Sequence, residues 1–118
     1  MSILKLNSVP LLQKPIINSF SDFDNETKRI YTLIYNYILE LNYDQNFEVY
    51  ATGSRVQGSW KTIDEAKQLS EQYNRYVKPS DYDFWTTALK IPTKQQFFDK
   101  IGVDVDFNKG NKQVLISL

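Results

Sequence analysis

Aspartates at alternate positions in two short apolar segments are the feature that most constrains the fold of this chain. The segments are Asp81-Tyr82-Asp83-Phe84 and Val103-Asp104-Val105-Asp106-Phe107. Successive side chains of a β-strand point to opposite faces, so the two aspartates of each segment share one face. Tyr82 and Phe84 then point to the other face. Both segments are therefore predicted to be strands with a buried face and an acidic face.

A glycine-serine turn comes directly after a third predicted strand, residues 47–52. Gly53 allows the backbone to approach a ligand closely or to adopt a positive φ. Ser54 offers a hydroxyl and an amide at the start of the next segment, which is a common way of holding a phosphate. Arg55 adds a cation, and Ser59 belongs to a second Gly-Ser pair. These four residues are candidates for nucleotide binding, although an ordinary strand-to-helix turn is the alternative.

Amphipathic patterns predict three helices. The clearest is capped by Ser21 or Asp22 and ends at Asn42. The other two begin with capping boxes at 62–65 and 93–96, and they end near Tyr76 and at Gly102. The apolar stripe of the first helix is predicted to comprise Phe23, Ile30, Leu33, Ile34, Tyr37, Ile38 and Leu41, and that of the second Ile63, Ala66, Leu69 and Tyr73.

The remaining segments complete a fold of the α+β class. Residues 108–111 are predicted to form a hairpin turn before a last edge strand at 114–116. Two prolines interrupt residues 1–20, which we interpret as an extended arm packed on the domain or as a tether to a partner. We expect residues 21–118 to form a single domain, with a small mixed sheet of about four strands and helices mainly on one face.

Composition excludes several classes of chemistry. The chain has no cysteine and no histidine, so disulfides, thiolate catalysis and imidazole metal ligands are ruled out. Any metal must be held by oxygen, which favours Mg²⁺, Mn²⁺ or Ca²⁺. Lysine plus arginine and aspartate plus glutamate each number 14, which argues against extended nucleic-acid binding. Because no apolar run approaches the length of a membrane span, we expect a cytoplasmic protein without a membrane partner.

The carboxylates and the glycine-serine turn together indicate phosphoryl chemistry. Three carboxylates on two adjacent strands can hold two hard cations about 3.5–4 Å apart, the arrangement used for in-line displacement at phosphorus. The order of the motifs along the chain resembles that of the DNA polymerase β-like nucleotidyltransferase superfamily, especially its minimal members. The resemblance covers residues 49–107 and depends on Gly53-Ser54, Asp81-Tyr82-Asp83 and Asp104-Val105-Asp106.

The resemblance implies specific roles for these residues. Gly53 and Ser54 would hold the triphosphate of an NTP, and Asp81 and Asp83 would bind Mg²⁺ or Mn²⁺. Asp106 is the better match to the third catalytic carboxylate of the family.

Asp104 is the alternative to Asp106 as the third carboxylate and metal ligand. The chain departs from the family pattern because the capped helix from Thr62 separates Gly53-Ser54 from the first aspartate. The helices with which larger members bind base and acceptor are not evident. We therefore expect a partner chain, a second copy or a further part of a longer protein to supply that surface.

Two functions emerge as alternatives. The first is metal-dependent transfer of a nucleoside monophosphate from an NTP to a hydroxyl of a protein, a small molecule or a nucleic-acid end. The second is an inactive nucleotidyltransferase-fold module that acts in assembly or interaction. Nucleic-acid binding without chemistry is a weaker third possibility, because the chain has no dense basic run.

Overall fold

The computed structural model describes residues 14–107 and 115–118. Within them the chain is a compact α+β unit with four helices and a four-stranded mixed sheet in the order β3-β2-β1-β4. None of the helices in these ranges is long and apolar enough to cross a membrane. The elements are α1 Asn25–Leu41, β1 Val49–Thr52, α2 Ser54–Gln57, α3 Ile63–Tyr73, β2 Tyr82–Thr86, α4 Lys94–Ile101, β3 Val105–Phe107 and β4 Ile116–Ser117.

The register of the sheet places the acidic strands side by side. β2 and β3 are parallel, joined through α4, and Asp83 lies opposite Asp106. β1 is antiparallel to β2, so that Thr52 lies on the other side of Asp83. The glycine-serine turn comes directly after Thr52 and therefore begins beside Asp83.

The predicted hairpin between the last two strands is wrong. Its turn at residues 108–111 lies outside the described residues, but the two strands that it would join are not neighbours. β4 pairs antiparallel with β1, at the edge of the sheet opposite β3. The last strand is an edge strand, as predicted. Sequence spacing cannot distinguish a hairpin from a connection to the far edge of the sheet.

Helix α1 starts later and is rotated relative to the prediction. Its N-cap is Asp24, which accepts a hydrogen bond from the Thr27 amide, whereas residues 20–22 form a separate 3₁₀ turn. Leu33 and Leu41 were predicted to be buried but are 39% and 38% exposed. Both ridges of the helix are apolar, and the sheet covers the other one. Its buried residues are Thr27, Ile30, Tyr31, Ile34 and Ile38.

Aromatic contacts fix helices α1 and α4 on one face of the sheet. Tyr31 of α1 meets Tyr82 edge to face, with ring centroids 5.4 Å apart. Phe97 of α4 meets Phe84 in the same way at 5.6 Å. Such pairs add to the stabilisation from burial. Tyr82 and Phe84 thus point to the core as predicted, and Asp83 between them points to the opposite face.

The segment that carries helix α3 leaves the domain and returns to it at one point. The predicted capping box is present, with the Thr62 hydroxyl accepting from the Glu65 amide, but the helix ends at Tyr73 rather than near Tyr76. The Lys61 amide donates to the Ser80 hydroxyl at 2.8 Å, and the Ser80 amide donates to the Lys61 carbonyl at 3.1 Å. The two ends of this segment, Lys61 and Ser80, therefore lie together.

Only part of the predicted apolar face of α3 is buried. Ala66 and Leu69 are buried, whereas Ile63 is 75% exposed and Tyr73 is 45% exposed. The structure thus corrects the prediction for the first and last residues of the helix. Both lie at ends that project from the sheet, where nothing among the described residues covers them fully.

Part of the predicted N-terminal arm packs on α2. The Lys14 amide donates to the Gly58 carbonyl at 2.8 Å, and the Ile17 amide donates to the Val56 carbonyl at 2.9 Å. Gly58 has φ +85°, and a Cβ atom there would overlap the Lys14 carbonyl. Residues 1–13 of the arm lie outside the described residues.

Candidate functional site

Three aspartates converge on the face of the sheet opposite α1 and α4. Asp81 immediately precedes β2, Asp83 lies within it, and Asp106 lies in the adjacent β3. One carboxylate oxygen from each residue lies within 4.8 Å of the other two, and all three side chains are partly buried. We call this group the carboxylate cluster. It arises from the alternation of side chains along β2 and from the parallel register with β3.

One oxygen of the carboxylate cluster lacks a hydrogen-bond donor. Asp81 Oδ1 is buried and has no hydrogen-bond partner among the described residues. Lys78 Nζ forms an ion pair with it at 3.3 Å. A buried carboxylate oxygen without a donor is costly unless a cation compensates it. Asp81 Oδ1 is therefore suited to accept a metal ion.

Lysines balance part of the negative charge. Lys94 Nζ lies 3.4 Å from Asp106 Oδ1, and Lys78 Nζ lies 3.3 Å from Asp81 Oδ1. The attraction of the Asp81 carboxylate is the main cause that raises the pKa of Lys78, and Asp104 contributes further. Both ammonium groups thus lie beside the carboxylate cluster.

The glycine-serine turn packs directly against the carboxylate cluster. Gly53 has φ +85° and ψ −157°, a conformation open almost only to glycine. A Cβ atom there would overlap Asp83 Oδ2 and lie 2.8 Å from Asp83 Cγ. Ser54 is the first residue of α2. The structure therefore brings Gly53 into contact with a carboxylate that is 30 positions away in the sequence.

A buried tyrosine holds the backbone of the central aspartate. The Tyr31 hydroxyl donates a hydrogen bond of 2.7 Å to the Asp83 carbonyl. Burial raises the pKa of Tyr31 above its ordinary range, and the negative charge of Asp83 raises it further. Because a neutral phenol remains a donor, β2 stays fixed on α1 at this point.

Arg55 packs against the residues that lead into β2 rather than joining the carboxylate cluster. Its guanidinium group donates to the carbonyls of Ser80 and Asp81 at 3.2 and 3.3 Å. It also stacks 3.8 Å from the Tyr82 ring and 4.7 Å from the Trp60 ring. Its side chain is largely buried. These contacts stabilise the approach to β2, and a role of Arg55 in nucleotide binding stays a prediction.

Two further candidate residues lie at the periphery. Asp104 is exposed and does not belong to the carboxylate cluster, although its carbonyl accepts a hydrogen bond from the Tyr82 amide. Ser59 is exposed after α2, and its amide donates to the Ser54 carbonyl. The geometry thus favours Asp106 over Asp104 as the third carboxylate.

Sequence reasoning missed two participants. Lys78 lies in a cationic segment of the sequence, and its position three residues before Asp81 was a usable signal. Lys94 carried no such signal, because it approaches Asp106 only through the packing of α4 beside β3.

The carboxylate cluster fits a hard divalent cation. Its ligand set consists of carboxylate oxygens, which Mg²⁺ and Mn²⁺ prefer, and Mg²⁺ usually takes one or two carboxylates with water and phosphate oxygens. The described residues also form two cavities, of about 810 Å³ along α3 and about 460 Å³ beside Arg55. Neither cavity is lined by the three aspartates.

Comparisons with known proteins give no indication of what this site does. No protein-family model, no curated protein and no solved structure matches the chain.

Proposed function

We propose that this protein is a metal-dependent nucleotidyltransferase, which moves a nucleoside monophosphate from an NTP to a hydroxyl acceptor. The observation that carries the proposal is the convergence of Asp81, Asp83 and Asp106, with oxygens within 4.8 Å of one another. The contact between Gly53 and the Asp83 carboxylate supports it, because a residue without a side chain lies directly beside the carboxylate cluster. The order of these motifs also resembles the polymerase β-like superfamily.

Each residue has a defined part in this proposal. The three aspartates hold Mg²⁺ or Mn²⁺, with Asp106 as the third carboxylate. When bound, the ions supply positive charge at the triphosphate and lower the pKa of the acceptor hydroxyl. Gly53 leaves the backbone accessible for a triphosphate beside the carboxylates. Tyr31 holds the Asp83 backbone so that the carboxylate keeps its place.

The test combines metal binding with nucleotide transfer. Mn²⁺ binding is measured by calorimetry, and transfer is measured with labelled NTPs, Mg²⁺ or Mn²⁺ and a panel of protein, small-molecule and oligonucleotide acceptors. Asp83→Asn and Asp106→Asn should each weaken Mn²⁺ binding and abolish transfer of label. Asp104→Asn is the matched control, since it removes a nearby carboxylate outside the cluster, and it should retain both.

Two results would overturn the proposal. The first is undiminished transfer by Asp83→Asn, which would place the chemistry elsewhere. The second is an equal loss on Asp104→Asn and Asp106→Asn, which would show a general effect of charge rather than a site. Circular dichroism of each variant checks that the fold is intact.

A catalytically inactive module of the same fold is a second candidate. The observation that favours it is the pairing of Lys78 and Lys94 with two of the three carboxylates, which balances charge without a metal. An inactive module would neither bind Mn²⁺ at the carboxylate cluster nor transfer label to any acceptor in the panel.

A further inference from the structure

Two lysines reach the carboxylate cluster from different parts of the chain. Lys78 belongs to the segment that leads into β2, and Lys94 is the first residue of α4. Their ammonium groups lie 3.3 Å from Asp81 Oδ1 and 3.4 Å from Asp106 Oδ1. Each lysine thus faces an oxygen of a residue that our proposed function assigns to metal binding.

The position of Lys94 is unfavourable for the helix that carries it. A cation in the first turn of a helix opposes the helix dipole, and the first turn of α4 contains no acidic residue to offset it. The ion pair with Asp106 in the neighbouring strand compensates this cost. The charge of Lys94 therefore stabilises the contact with Asp106 of β3 and does not stabilise α4 itself.

The ammonium groups and a metal ion cannot occupy the same oxygens without repulsion. Mg²⁺ binds oxygen ligands at about 2.0–2.1 Å, so an ion on these carboxylates would repel the ammonium groups that pair with them. The lysine side chains are free to move away, since they are 58% and 64% exposed and each has a flexible four-carbon stem. The aspartates, at 22% and 26%, are more firmly held.

We propose that Lys78 and Lys94 are internal counter-ions that compete with the metal for the carboxylate cluster. This inference rests on the proposed function, because it concerns the same site. The lysines stabilise the metal-free site and thereby raise the metal concentration at which it fills. They affect only how tightly the metal binds and take no part in the chemistry.

The test measures Mn²⁺ affinity without nucleotide, by calorimetry or by electron paramagnetic resonance of free Mn²⁺. Partly exposed ion pairs contribute little individually, so Lys78→Gln and Lys94→Gln should each tighten Mn²⁺ binding about threefold, and the double variant about tenfold. Lys78→Arg with Lys94→Arg keeps both charges and should restore the weaker, wild-type affinity.

Lys100→Gln is the matched control. Lys100 lies on the same helix as Lys94, is half exposed and pairs with Glu40 of α1 at 3.7 Å, away from the carboxylate cluster. Its removal changes the net charge by the same amount and should leave Mn²⁺ affinity within about twofold of wild type, because an exposed distant charge is screened by salt.

The outcomes separate this inference from the proposed function. If Mn²⁺ binding depends on Asp83 but the lysine double variant binds no more tightly than Lys100→Gln, the counter-ion inference fails alone. If the lysine variants bind more tightly but no variant transfers a nucleotide, the inference stands and the enzymatic proposal fails. If Mn²⁺ binding does not depend on the aspartates, both fail.

Discussion

Replacing Gly53 by alanine tests the contact on which the candidate site depends. The alanine must adopt φ +85° and ψ −157°, a conformation that costs about 1–3 kcal/mol for a residue with a side chain. Its Cβ atom must also displace Asp83, whose Cγ and Cβ atoms would lie 2.8 and 2.9 Å away, and overpacking of this kind costs about 1–3 kcal/mol. A gain of about 0.4–1 kcal/mol from the less flexible unfolded chain offsets part of this. We expect a net loss of about 1–6 kcal/mol.

Gly102→Ala provides a matched control for Gly53→Ala. Gly102 also has a positive φ, +87°, but a Cβ atom there would meet no described residue within 4 Å outside its chain neighbours and the backbone of its own helix. Only the backbone penalty remains, so we expect a loss of about 1 kcal/mol. Urea denaturation followed by tryptophan fluorescence measures both free energies of unfolding. If Gly53→Ala costs no more than Gly102→Ala, then Gly53 is not in contact with Asp83, and the turn and the carboxylates do not share a site.

Three further substitutions test side-chain contacts that stabilise the fold. Arg55→Ala removes a buried cation that is bonded to two backbone carbonyls and stacked on two rings, and should destabilise the fold by about 2–4 kcal/mol; Arg29→Ala, an exposed control, should leave the free energy of unfolding by urea nearly unchanged. Tyr31 keeps its proton in the folded state above pH 10 while the unfolded chain loses it, because its folded pKa is raised, so stability falls as pH rises. Tyr31→Phe should therefore remove about 1.4 kcal/mol of the stability lost between pH 9 and pH 11, and equal pH profiles for wild type and Tyr31→Phe would refute this. Asn42→Ala should lower the melting temperature and cost about 2–4 kcal/mol, because the buried amide bonds to two carbonyls and one amide in different segments, and a loss below about 1 kcal/mol would contradict that role.

Local patterns were sufficient to predict the elements that carry the site. The alternation around Asp81 and Asp83 defined the acidic face of β2, and the capping boxes marked the starts of α3 and α4. These features depend on residues only a few positions apart, so the sequence displays them directly. The approach of Asp106 agrees with the expectation that the two acidic strands are neighbours.

The remaining features depend on contacts between distant segments. The pattern in α1 contains two adjacent apolar ridges, and only the sheet decides that Tyr31 is buried and Leu33 is not. The partner of β4 is decided by which sheet edge is available, and Lys94 approaches Asp106 only because α4 crosses beside β3. Arg55 was predicted to bind nucleotide, which stays a prediction, but no local pattern showed that its guanidinium group would stack on the rings of Trp60 and Tyr82.

The two hydrogen bonds between Lys61 and Ser80 have a consequence for how the chain tolerates change. Because the segment between them leaves and re-enters the domain at one point, its length is uncoupled from the distance between Gly53 and Asp83. Natural or engineered variants can extend it, shorten it or carry a fused domain there without altering the carboxylates, since closing a longer loop costs little extra entropy. The segment is thus a place where added residues can be accommodated while the carboxylate cluster keeps its geometry.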